Sequence, residues 1–193
     1  MPFGARGREP RGAVARQLAR RLVDRLASET ALTLRPVFLV SLPEESSEAG
    51  YVVIGSTPDA DLAAQYGASL GATHTLVGTL REGEPAALEV SLVDVAGRRV
   101  LRESTLPAPT GSLHELEHAL AAWLGHALGV ELADRGTPPA RDERTYLALL
   151  AGMDAELNAT LLASGDAGAA KAATLEALER YADALAQDPG CAA

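Results

Sequence analysis

The chain has 193 residues, a net charge of −9 and a single cysteine, Cys191. That length makes one large domain or two small ones, the lone cysteine excludes a disulfide framework or a cysteine-rich zinc module, and the acidic balance argues against general nucleic-acid binding. Aromatic residues are only 4% of the sequence, so the core has to be assembled from Ala, Leu and Val.

Met1-Pro2-Phe3 is a short apolar start, followed by a Gly/Arg-rich turn. Over residues 13–26, Leu18, Leu22 and Leu26 fall on one helical stripe, with Ala15 and Ala19 beside them. Arg16, Arg20, Arg21 and Arg25 fall on the opposite arc, which reads as the solvated face of a helix lying on a sheet. The alternative use of that arc is as a basic surface for an anionic membrane or a nucleic acid. VFLVSL at 37–42 predicts a buried strand. YVVI at 51–54 fits either a strand or a packed loop. Thr57-Pro58-Asp59 opens a helix that Gly71 stops. Residues 74–80 predict a strand. Leu88, Val90 and Leu92 alternate with Glu89 and Ser91, the pattern of a half-buried strand. A hairpin turn at 94–99 then leads to a return strand over 99–106. Hairpin neighbours pair antiparallel, whereas strands separated by helices favour parallel pairing.

From 112 to about 132 the period is helical again, with Leu113, Leu116, Leu120, Trp123, Leu124 and Ala127 on the apolar stripe. ADRGTPPARD at 133–142 breaks every pattern and reads as a linker. Beyond it lie two helical segments, 145–162 and 169–186, the second closed by Asp188-Pro189-Gly190.

His114-Glu115-Leu116-Glu117-His118 matches H-E-x-x-H, in which two histidines bind zinc and the glutamate activates water. Helix arithmetic sets His114 about 130° and His118 about 170° from the apolar stripe, toward solvent. A third ligand is not evident from His126 or Glu143. A spurious match on a charged helix face is the simpler reading, and a zinc-dependent hydrolase is the alternative. His74 stands at a strand head. Cys191 has no histidine near it in sequence, and no phosphate-binding glycine motif or G-x-S-x-G elbow occurs. No catalytic residue, metal ligand or cofactor is assigned.

The stretch 62–132 resembles the TolB amino-terminal-like domain of bacterial proteins that carry tetratricopeptide repeats. The resemblance rests on LGATHTLVGTL at 70–80, LEVSLVDVAG at 88–97, the return strand after it and the helix at 113–128. Pro2-Phe3 looks like the end of that family's first strand, although only two residues precede Phe3, and Leu101 stands where the family has an aromatic. The resemblance implies a non-catalytic domain. Residues 143–193 are similar to one tetratricopeptide-like helix pair: Tyr146, Leu150 and Gly152 fit the first helix, and Ala177, Tyr181 and Ala184 the second. Small residues would let the two helices approach closely, with Tyr181 filling the gap.

The expected fold is therefore α/β, a mixed parallel/antiparallel sheet with flanking helices in the order β-α-β-α-β-β-β-α, plus a C-terminal all-α helical hairpin. The expected divisions are 1–132, a linker at 133–142, and 143–193. The expected function is a bacterial adaptor or scaffold module that binds a peptide, a protein partner or a second copy of itself through the hairpin. Tyr146, Leu150, Tyr181 and Leu185 are its candidate contact residues, and each reads by default as a core position. Two helices cannot bury their apolar faces alone, so that face needs the first domain, a second chain or a partner helix. No export signal is read at the N-terminus, so the expected location is cytoplasmic. An envelope location stays open if a segment precedes Met1.

Overall fold

The computed structural model describes residues 4–6, 11–33, 58–81, 86–108, 113–131 and 140–191. Among them the chain forms β1 (Gly4–Arg6), α1 (Arg11–Glu29), α2 (Ala60–Ser69), β2 (His74–Arg81), β3 (Ala86–Asp94) and β4 (Arg99–Ala108). A 3-10 turn at Leu113–Glu115 leads into α3 (Leu116–Leu128), followed by α4 (Glu143–Leu162) and α5 (Ala167–Gln187).

The substance of the sheet is an antiparallel meander of β2, β3 and β4. β2 pairs β3 from His74↔Asp94 to Arg81↔Ala87, and β3 pairs β4 with a register shift at Leu92/Val93. The expected order β-α-β-α-β-β-β-α is overturned. The described elements before α4 run β-α-α-β-β-β-α, and the parallel contribution shrinks to the three residues of β1 against Thr79–Arg81. The meander is antiparallel because its strands are joined by short connections, which cannot carry the crossover that a parallel pair needs. The strand expected at 37–42 and the segment 51–54 lie outside the described residues, as does Pro2-Phe3.

Pleating divides the sheet into two faces. Leu80, Leu88, Val90 and Leu92 pack against Leu18, Leu22 and Leu26 of α1 and Leu116, Leu120 and Leu124 of α3. Each such side chain contributes on the order of 1.5–3 kcal/mol by leaving water. On the other face, Val77 and Val93 meet Ala63 and Ala64 of α2 in a smaller cluster. The Thr75 hydroxyl donates to the Ala63 carbonyl at 3.2 Å. Gly67 allows that approach, because a Cβ there would run into Thr75 and Val95.

The main core does not stop at the linker. Tyr146 and Leu150 of α4 are buried in the same cluster as Leu18 and Leu120. α4 lies on α1, while the substantial packing of α5 is with α4. The molecule is therefore layered from α2, through the sheet, to α1 and α3, then α4, with α5 outermost. No described helix is long and apolar enough to cross a membrane.

Candidate functional site

The helix pair is held to the rest of the chain by a buried polar seam. Arg16 on α1 grips Asp154 on α4 with two nitrogens, Nε to Oδ1 at 2.9 Å and Nη2 to Oδ2 at 2.7 Å. Gln17 Nε2 donates to the same Oδ1 at 3.1 Å. Arg21 Nε donates to Glu117 Oε2 on α3 at 2.7 Å, and the Tyr146 hydroxyl donates to that oxygen at 3.4 Å. The Tyr146 phenol is pushed well above its ordinary range, first by burial and then by the Glu117 carboxylate. Charge-assisted, forked bonds of this kind fix orientation as well as adding energy.

This seam corrects the reading of α1 as a helix with a solvated basic arc. Arg16 and Arg21 spend their charge inside the molecule, 23% and 17% exposed at the side chain. They do not present an anion-binding surface. It also corrects the placement of the α3 histidines. His114 and His118 are half-buried rather than turned to solvent. The periodicity registers the sheet-facing stripe of α3 but not its second covered flank, against α1 and α4. His114 lies in the 3-10 turn, outside the regular helix that H-E-x-x-H requires. His118 Nδ1 lies 3.4 Å from the Arg25 guanidinium, a neighbour that would repel a dication. Glu115 is exposed, and the buried acid of the string is Glu117, already paired. Among the described residues no three His, Cys, Asp or Glu side chains gather closely enough to hold a metal ion. Cys191 rests partly buried against the core, and burial pushes its thiol upward, away from an activated thiolate.

The hairpin itself is fastened at both ends. Asp142 caps α4, accepting from the Thr145 N–H at 2.9 Å, and this bond holds its carboxyl below the ordinary value. Asp166 caps α5 through the Ala169 N–H at 2.8 Å. Asp188, buried at the end of α5, accepts from the Arg141 N–H at 3.3 Å and faces the Arg141 guanidinium at 3.4 Å, tying that end to the start of α4. Between these ends the two helices approach through small residues, Gly152 on α4 and Ala177 and Ala184 on α5. A Cβ on Gly152 would come within 2.7 Å of the Tyr181 ring, so the close approach expected of this pair is present. The Tyr181 hydroxyl donates to Glu156 Oε2 at 2.8 Å. Partial burial, followed by that bond, pushes its phenol up to about 12.

The four candidate contact residues separate into two pairs. Tyr146 and Leu150 are fully buried in the core and offer no surface to a partner. Tyr181 is half-buried against α4, and Leu185 is 51% exposed. Leu185 has companions that the sequence reading missed: Leu175 at 53% and Leu178 at 60% exposure. Advancing about 100° per residue, Leu178 and Leu185 lie about 20° apart, with Leu175 about 60° further round. All three turn away from the Ala177–Ala184 seam. The signal was available: a helix with alanines on one side and leucines at spacings of three and seven on another has two faces to bury.

The chain matches no known protein-family model and no curated protein sequence.

Proposed function

We propose that this chain works as a protein-binding module rather than by catalysis, and that its binding surface is the outer face of α5. One observation carries the reading. Leu175, Leu178 and Leu185 form an apolar stripe more than half exposed on a helix whose other side is already satisfied. Contiguous exposed apolar surface on a folded domain marks an interaction site more often than scattered single leucines do. A helix laid along a helix is an established mode of recognition, read out by anchors at spacings of three, four and seven. The support beneath the surface is rigid, because α4 is locked into the core by Tyr146, Leu150 and the Asp154 seam. This geometry supports an adaptor or scaffold reading: one side of the hairpin is built into the fold and the other is exposed.

A photo-crosslinking amino acid at position 178, compared with the exposed position 158 on α4, tests the reading. The expected result is a discrete protein adduct from 178 and none from 158, with its contact segment mapped by mass spectrometry. Equal labelling from both positions, or none from 178, would contradict it.

A further inference from the structure

Resting on that reading, we infer that the α5 face takes a short amphipathic helix whose apolar anchors are flanked by Lys or Arg, rather than a second copy of this chain. The charge around the leucines decides this. On the Leu175 side, Glu179 and Asp183 are exposed and stand four residues apart, with no ion-pair partner among the described residues. Like charges at that spacing repel along a helix. On the Leu185 side the stripe is bordered by Glu156 of α4, held there by Tyr181. The apolar strip thus has carboxylates on both flanks, with Lys171 on its own line a turn before Leu175 and Arg20 of α1 near the Tyr181–Glu156 pair, so the acidic flank that stands without a cation is that of Glu179 and Asp183. A partner that brings cations to the flanks relieves the Glu179–Asp183 repulsion as it buries the leucines.

A second copy does the opposite. Two α5 helices packed antiparallel about a twofold axis bring like flanks together, so Glu179 and Asp183 of one copy would face the same residues of the other. The net charge of −9 adds to that repulsion. The area agrees. Three half-exposed leucines offer on the order of a few hundred Å² of apolar surface, well short of the roughly 800 Å² per partner of a standard stable interface. From Leu175 to Leu185 the stripe spans about 15 Å, which suits about three helical turns.

The probe is a synthetic helical peptide of about four turns. It carries Leu at i, i+3, i+7 and i+10 and Lys on both flanks, and a control keeps the same leucines with Glu on the flanks. Titrated into the full chain, the basic peptide is expected to bind at least about tenfold more tightly than the acidic one and to weaken as salt is raised. Leu178→Glu should abolish binding, and the double variant Glu179→Lys, Asp183→Lys should reverse the peptide preference. Three results would overturn the inference. One is equal binding of both peptides. Another is a chain that is dimeric by light scattering and made monomeric by Leu178→Glu. The third is a protein adduct from position 178 together with no binding of the basic peptide, in which case the binding-module reading survives and the choice of occupant does not. Loss of the adduct itself would remove the reading on which the inference rests.

Discussion

α4 and α5 are neighbours of nearly equal length, 20 and 21 residues, yet they belong to different parts of the energetics. α4 buries Thr145, Tyr146, Leu149, Leu150, Gly152, Asp154 and Ala155, and touches α1 as well as α5. α5 buries only Ala177 and Ala184. The helix with the aromatic, the leucines and the ion pair is part of the fold. The helix with alanines inside and leucines outside is attached to the fold. A hairpin that reads in sequence as one unit is therefore a core helix carrying an outer helix with an exposed apolar face. Elements with few buried apolar contacts open more readily than core elements, so α5 is also the more adaptable of the two.

The largest effect is expected from Leu150→Ala, which removes a fully buried side chain from the main core and should cost roughly 2–5 kcal/mol. Chemical denaturation measures it, and a loss below about 1 kcal/mol would mean that α4 is not part of that core. Asp154→Ala removes the shared acceptor of Arg16 and Gln17 and should cost about 1–3 kcal/mol. Hydrogen exchange should then rise in α4 and in the facing turn of α1 together. Gly152→Ala gains helix propensity but drives a methyl group into the Tyr181 ring. The clash should win by about 1 kcal/mol, and faster exchange should appear in α5 while the sheet keeps its protection.

Alkaline pH sharpens the contrast. The Tyr181 phenol is raised in the folded chain to about 12 from an ordinary 10.0. The stability that its neutral form contributes is therefore complete below about pH 10 and is lost as pH rises through about 12. Tyr181→Phe should lessen the dependence in that window without abolishing it, because the buried Tyr146, raised still further, also ionises first in the unfolded chain. Thermal melts of both proteins between about pH 9 and 12 check this. An unchanged slope in Tyr181→Phe would mean that Tyr181 ionises as a free phenol.

Local periodicity carried the element positions well. The β3–β4 hairpin, the stop at Gly71 and both hairpin helices lie within a few residues of their expected places. The reason is that each is fixed by its own short-range pattern: alternation, a glycine with φ of +68° at the stop, and aspartates at the helix N-termini. What periodicity could not supply was pairing at a distance. The partners Arg21 and Glu117 stand 96 positions apart, and Arg16 and Asp154 stand 138 apart. Nothing local in α1 distinguishes an arginine that will be buried from one that will be solvated. The acids did carry a signal. Asp154 follows Tyr146 and Leu150 at spacings of four, which puts a carboxylate on the packed face of α4 and demands a cation opposite. Glu117, Ala121 and Leu124 make a second stripe on α3, the mark of a helix covered on two sides. In sequence Tyr146 and Leu150 fit contact residues and core residues alike, because an apolar helical stripe looks the same whether its own core or a partner covers it. Only the placement of α1 decides which.

Binding and folding make different demands on the α5 leucines. The direct measurement is Leu178→Glu in the full chain, with unfolding free energy and binding of the Lys-flanked peptide determined on the same preparation. Stability within about 0.5 kcal/mol of the parent, together with lost binding, is the predicted outcome. A loss of several kcal/mol would show that the face is buried in the native chain, and unaltered binding would show that the peptide docks elsewhere.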